Sequence, residues 1–97
     1  MRETPASGYV AECFWPDVHE RDLEALDARV TRAAARLHGE GEPVRYLGSV
    51  LMRSDEVVLC FFEGSEHAVR RAAEDARVPF ERIVAAARSP WPKAVKP

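Results

Sequence analysis

The stretch Val44–Glu63 reads VRYLGSVLM (44–52), RSDE (53–56) and VVLCFFE (57–63), and it decides the fold. Two apolar runs rich in β-branched and aromatic residues flank four polar residues, with Pro43 just before the first. A linker this short returns the chain on itself, so Val44–Met52 and Val57–Glu63 are expected to form an antiparallel hairpin. The second run is almost wholly apolar, as in a central strand covered on both faces.

Working upstream, Gly39 and Gly41 are helix stops. Before them Leu23, Leu26, Val30, Ala33, Ala34 and Leu37 recur at helical spacing, which predicts a helix from about Val18 to His38. Asp17 is the expected N-cap, with Glu20 closing a capping box. Acids crowd the first half of this helix and Arg29, Arg32 and Arg36 the second, matching the helix dipole. Tyr9–Trp15 is a first strand, closed by Pro16.

Downstream, Ser65 caps a second helix with a narrow stripe of Val69, Ala72, Ala73 and Ala76. Pro79 ends it, and Phe80–Ala87 forms the last strand. Residues 1–8 read as a flexible lead, 9–88 as the domain and 89–97, with its prolines, as a tail in which Trp91 is pinned to a surface.

The order βαββαβ is the split βαβ, ferredoxin-like α+β plan. Right-handed crossovers place both helices on one face of a four-stranded antiparallel sheet, with strands one and three central. The other face is left bare. An apolar sheet face in water is costly at about 25 cal/mol per Å², so a homodimer packed sheet to sheet is expected.

Composition narrows the function classes. A net charge of -2 gives no basic field, and no nucleic-acid binding is expected. No apolar run approaches the ~20 residues that span a bilayer, so no membrane partner is expected. Met1–Gly8 lacks the apolar core of a signal peptide, which gives the cytoplasm as the expected compartment. Lysine occurs only at Lys93 and Lys96, which leaves no amine in the domain for Schiff-base chemistry.

Glu12 is the most informative single residue, a carboxylate between Ala11 and Cys13 in a central strand. It must be paired, protonated or facing a cavity. A ligand contact, metal ligand or general base stands against a plain ion pair with Arg45, Arg53 or Arg82. Glu63 ends strand three and is expected to meet Glu12 at one end of the sheet, strands one and three being taken as parallel. Its alternative is an exposed acid at the start of the second helix.

Cys13 and Cys60 fall on those same neighbouring strands. They are either a facing redox or soft-metal pair or two small hydrophobes. His19 and His67 open the two helices and are expected to border one end of the sheet, where with Glu12 they would hold a divalent metal. The alternative is surface histidine. Phe14, Trp15, Tyr46, Phe61 and Phe62 are candidates to line a pocket for a flat organic ligand, or simply core. No phosphate-binding glycine loop is present, since Gly39-Glu40-Gly41 is only a helix stop.

Two stretches resemble the DUF4242 family of small bacterial domains. One is Tyr9-Val-Ala-Glu12-Cys-Phe-Trp15-Pro16. The other runs from Val44 through Tyr46 and Ser49 to Leu59-Cys60-Phe61-Phe62-Glu63, and on through Ala68-Val69-Arg70 and Val78-Pro79-Phe80 to Ile83. The resemblance covers roughly Tyr9–Ala87. It implies a ferredoxin-like dimer, with nickel or another divalent metal as the cofactor class. Glu12, Tyr46, Ser49, Cys60 and Glu63 match positions of similar type in the family. Gly48 departs from it, standing where a strand-two histidine is frequent, and a mid-strand glycine opens space above a sheet or marks a bulge.

The expected function is therefore a dimeric small-ligand- or metal-binding protein. Its pocket is placed on the sheet near Glu12, with Phe14, Tyr46, Gly48, Ser49, Cys60 and Glu63 as ligand contacts. A cofactor-independent oxygenase or cyclase acting on a polyketide-like aromatic is the enzymatic alternative, by analogy of fold alone. A structural or accessory dimer without ligand is the third.

Overall fold

The computed structural model describes residues 7–87. The elements follow the order β1 (Ser7–Phe14), α1 (Glu20–Gly39), β2 (Val44–Met52), β3 (Val57–Gly64), α2 (Glu66–Asp75) and β4 (Arg82–Ala87), with one 3-10 turn, Arg53–Asp55, in the β2–β3 hairpin. The sheet order is β2-β3-β1-β4 and every neighbouring pair is antiparallel. This is the α+β ferredoxin-like fold. The lead is shorter than expected, because β1 already includes Ser7 and Gly8. Residues 1–6 and the tail 89–97, with Trp91, lie outside the described residues.

Alternation along the strands sorts the side chains by face. Ala11, Cys13, Val58, Cys60 and Phe62 point beneath the helices and are buried. They meet Leu26, Val30 and Leu37 of α1 and Val69 and Ala72 of α2 in one core cluster. Each fully buried Leu, Val or Phe side chain contributes on the order of 1.5–3 kcal/mol. The small alanine stripe of α2 lets that helix pack closely.

The helix ends are set locally. At α1 the N-cap is His19, not Asp17: the His19 N–H donates to Asp22 Oδ2 at 2.8 Å. Asp17 instead sits in the left-handed region (φ 62), and its N–H donates to Glu56 Oε2 at 3.1 Å. The turn after Pro16 consumes the residue that the pattern had offered as a cap. At the other end Glu42 N–H donates to the Leu37 carbonyl at 2.9 Å and Gly41 N–H to His38 at 3.1 Å, a Schellman motif around Gly41 (φ 90). Ser65 caps α2 as expected, its Oγ accepting from Ala68 N–H at 3.1 Å. That helix closes before Pro79, in a second Schellman motif centred on Arg77 (φ 60). β4 starts at Arg82 rather than Phe80.

The direction of β1 against β3 corrects the sequence expectation. The α1 crossover returns β2 parallel to β1, and the hairpin then reverses β3. β1 and β3 are therefore antiparallel, with Glu12 opposite Leu59 and Glu63 opposite Gly8. Their carboxyl ends lie at opposite ends of the sheet.

Candidate functional site

That reversal dissolves the expected convergence. Glu12 and Glu63 stand four residues apart along the pair, roughly 13 Å at ~3.3 Å per residue. His19 follows the carboxyl end of β1 and His67 that of β3, so they lie at opposite ends of the sheet. Among the described residues no three His, Cys, Asp or Glu side chains assemble as a metal-ligand set. Glu12, His19 and His67 thus do not share a metal.

The expected pocket residues also divide between the two faces. Glu12, Phe14 and Glu63 project from the face away from the helices. Tyr46, Ser49 and Cys60 project beneath them. Tyr46 and Ser49 are three apart and would point oppositely in a regular strand. A β-bulge at Tyr46/Gly48 adds one residue and brings both under α1. Gly48 makes the bulge possible by taking φ 115.

Beneath α1, Asp27 collects these hydroxyls. Tyr46 donates to Asp27 Oδ1 at 2.5 Å and Ser49 Oγ donates to the same oxygen at 2.9 Å. Tyr46 also packs its ring against Phe62, with centroids 5.1 Å apart. Burial, and then the hydrogen bond to Asp27, push the Tyr46 phenol well above its ordinary range. The side chain is a locked proton donor and cannot serve as a base near neutral pH. Asp27 escaped the sequence reading. Its signal was a carboxylate one residue after the core-facing Leu26, on the flank of the helix stripe.

Cys13 and Cys60 lie next to this cluster. The interaction with Cys60, and then burial, hold the Cys13 thiol far above the ordinary thiol range. The same interaction favours the Cys60 thiolate, against the effect of burial.

On the open face, Arg82 of β4 stands opposite Glu12 in register, and its Nε–H donates to Glu12 Oε1 at 2.6 Å. The bond to Glu12 raises the Arg82 pKa. Of the three arginines offered as ion-pair partners for Glu12, Arg82 is the one that pairs with it. A cavity of about 240 Å³ adjoins the pair, lined by Glu12, Cys13, Phe14, Val57, Glu81 and Arg82. A second cleft of about 340 Å³ runs between α1 and the edge strand β2, over Ala34, Ala35 and Val44. The phenol at its end is committed to Asp27 and its arginine, Arg45, to Glu63 at 3.2 Å. The Glu12 corner gathers the denser chemistry: two carboxylates, a guanidinium and an aromatic ring.

Between the two ion pairs the open face is apolar. Phe14, Leu47, Val50, Met52 and Val84, all more than a third exposed, project from it. Glu12–Arg82 and Arg45–Glu63 occupy diagonally opposite corners. An apolar centre with polar corners has the anatomy of a protein interface.

No family model matches the chain, and no curated protein matches it. Among solved structures it is similar to SCO4226 from Streptomyces coelicolor A3(2), with a TM-score of 0.64 and 17% identity over 86% of this chain and 99% of that one. At that identity the likeness establishes a shared fold, and the fold of this chain is ferredoxin-like α+β.

Proposed function

We propose that this protein is a small-ligand-binding homodimer, joined through its open sheet faces, with the ligand at the Glu12 corner. The observation that carries the reading is the cavity beside Glu12–Arg82, which opens next to Phe14 at the margin of the bare apolar face. At about 240 Å³ it falls just below the ~300–1,000 Å³ of small-molecule sites. A second copy laid on the open face covers Phe14, which is 53% exposed, and completes the enclosure. The lining suits a compact organic molecule, with an apolar body against Phe14 and Val57 and a polar group facing Glu12 and Arg82. The DUF4242 resemblance, carried by Tyr9–Pro16 and Val44–Ile83, supports the dimeric assembly. It does not extend to nickel, whose expected ligands are separated by the sheet.

Native mass spectrometry of protein purified without a metal-affinity tag tests both parts. The expected result is a dimer carrying a discrete organic mass, which Arg82→Gln loses. Bare dimers, before and after incubation with a small-molecule cell extract, overturn the ligand. A monomer at micromolar concentration overturns the assembly.

A further inference from the structure

We propose that the free edge of β2 is a docking site for a short, extended, acidic peptide of a partner protein, which adds to the four-stranded sheet as a further strand. The proposal rests on neither the ligand nor the dimer above. β2 is the outermost strand on its side of the sheet. Ser65 N–H donates to the Pro43 carbonyl at 3.3 Å, which carries the β2–β3 register one pair beyond Val44 and Gly64. Main-chain groups alternate in direction along an antiparallel pair. Residues 43 and 45 therefore turn theirs towards β3, and the N–H and C=O of Val44 and Tyr46 turn outward. Pro43 precedes this run and the bulge at Tyr46/Gly48 ends it, so the edge suits a short segment and not a long strand.

The register dictates the side chains of the occupant. Residues of an antiparallel neighbour directly opposite Val44 and Tyr46 point to the helix side, as those two do. There the cleft of about 340 Å³ lies between α1 and β2, with Ala34, Ala35 and Val44 as its floor and Thr31 and His38 on its helix wall. The alanines leave room for two apolar side chains, as in other sites of strand addition, where the main chain gives affinity and alternate pockets give specificity. The residue opposite Arg45 points to the other face. It belongs to the non-hydrogen-bonded pair, in which side chains come closest. The Arg45 side chain is 72% exposed, with Glu63 on its inner side. A carboxylate on its outer side makes a favourable cross-strand pair. The occupant is therefore apolar–acidic–apolar.

The same register disfavours a second copy of this chain as the occupant. Two β2 edges can bond through both Val44 and Tyr46 about a two-fold axis only if Arg45 stands directly opposite the partner's Arg45. Like charges directly opposite each other are destabilising. The edge thus selects against itself and for an acidic strand.

The experiment is a titration of the isotope-labelled full chain with a Ser-Val-Glu-Val-Ser peptide blocked at both ends, followed by amide NMR shifts. The expected result is a saturable shift confined to residues 31–38 and 44–46. Methylating the amide nitrogens of both valines should abolish binding, since those N–H groups bond to β2. Methylating that of the glutamate, which points away, should not. Arg45→Glu should weaken binding about tenfold and transfer the preference to a peptide with lysine at the centre. Arg45→Gln, which sets no second acid beside Glu63, should lose the preference for glutamate over lysine. Binding that survives methylation of both valines overturns the strand addition, and an unchanged preference in both Arg45 variants overturns the register. No saturable shift at millimolar peptide overturns the site. Shifts at residues 44–46 that grow with protein concentration alone place a second copy on the edge and overturn the peptide.

Discussion

Arg82 of β4 stands directly across the sheet from Glu12 of β1, and its Nε–H donates to Glu12 Oε1 at 2.6 Å. The pair joins an edge strand to a central one at the margin of the apolar face. Arg82 is 69% exposed, so solvent and salt screen the attraction. Its value lies in placing a charge pair beside the cavity rather than in holding the fold. Arg82→Gln should leave the urea midpoint nearly unchanged while abolishing retention of the organic mass. A large fall in the midpoint would show the pair to be structural instead.

Tyr46 tests the cluster beneath α1. Its hydrogen bond to the Asp27 carboxylate is charge-assisted and partly buried. Tyr46→Phe removes it and should cost about 1–2 kcal/mol in chemical denaturation. The sign with pH follows from the raised phenol pKa. Stability from this group is fully present below the unfolded tyrosine pKa of ~10 and is lost as pH rises above it towards the folded value. The parent protein should lose stability above pH ~10 more steeply than Tyr46→Phe. Parallel alkaline curves for the two would remove the phenol from that account.

Two glycines separate strain from collision. At Gly48 an added Cβ meets nothing within 4 Å, so only the φ of 115 opposes a side chain. Gly48→Ala should cost on the order of 1–3 kcal/mol. It should also loosen the bulge that brings Ser49 to Asp27. At Gly64 (φ 136) a Cβ would overlap the Pro43 carbonyl oxygen and press within 2.9 Å of Val44 Cα. Both are backbone atoms and cannot step aside, so Gly64→Ala should be far more damaging. Equal melting temperatures for the two variants would contradict this ordering.

Which parts of this molecule were legible in the sequence follows from the range of each signal. The helices, the hairpin and the Ser65 cap rest on neighbours within a few residues, and they appeared where the pattern placed them. The failures needed through-space knowledge. Asp17 looks like a cap until the Pro16 turn places it at φ 62. Glu12 and Glu63 converge only if β1 and β3 run parallel, and the hairpin, by reversing β3, sets them antiparallel. Tyr46 and Ser49 share a face only because of the bulge at Gly48. The pairing of Glu12 with Arg82 depends on register across 70 residues of chain. The site residues suffered most, since a site is assembled from register and face, which local patterns do not carry.

The C-terminus of α2 offers a stabilising change. Arg77 occupies the left-handed position of a Schellman motif at φ 60, where glycine is usual. An L residue costs roughly 1–2 kcal/mol in that conformation, partly offset by the extra freedom that glycine gives the unfolded chain. Arg77 is exposed, so little packing is lost. Arg77→Gly should therefore raise stability by about 0.5–1 kcal/mol. A fall in the urea midpoint would mean that the arginine side chain contributes more than its backbone strain removes.

Val50 tests the assembly. It is 47% exposed on β2, within the apolar part of the open face. Isologous packing of two such faces buries Val50 from both copies. Val50→Lys then places two unpaired charges in each dimer, and leaving a charge unpaired on burial is strongly unfavourable. Association should weaken by more than ~100-fold, the equivalent of about 2.7 kcal/mol. The isolated protomer keeps a solvated lysine at a site already half open to water, so its circular dichroism should not change. Light scattering across a dilution series reads both species. A Val50→Lys protein as dimeric as its parent would place the interface elsewhere, and with it the enclosure of the Glu12 corner.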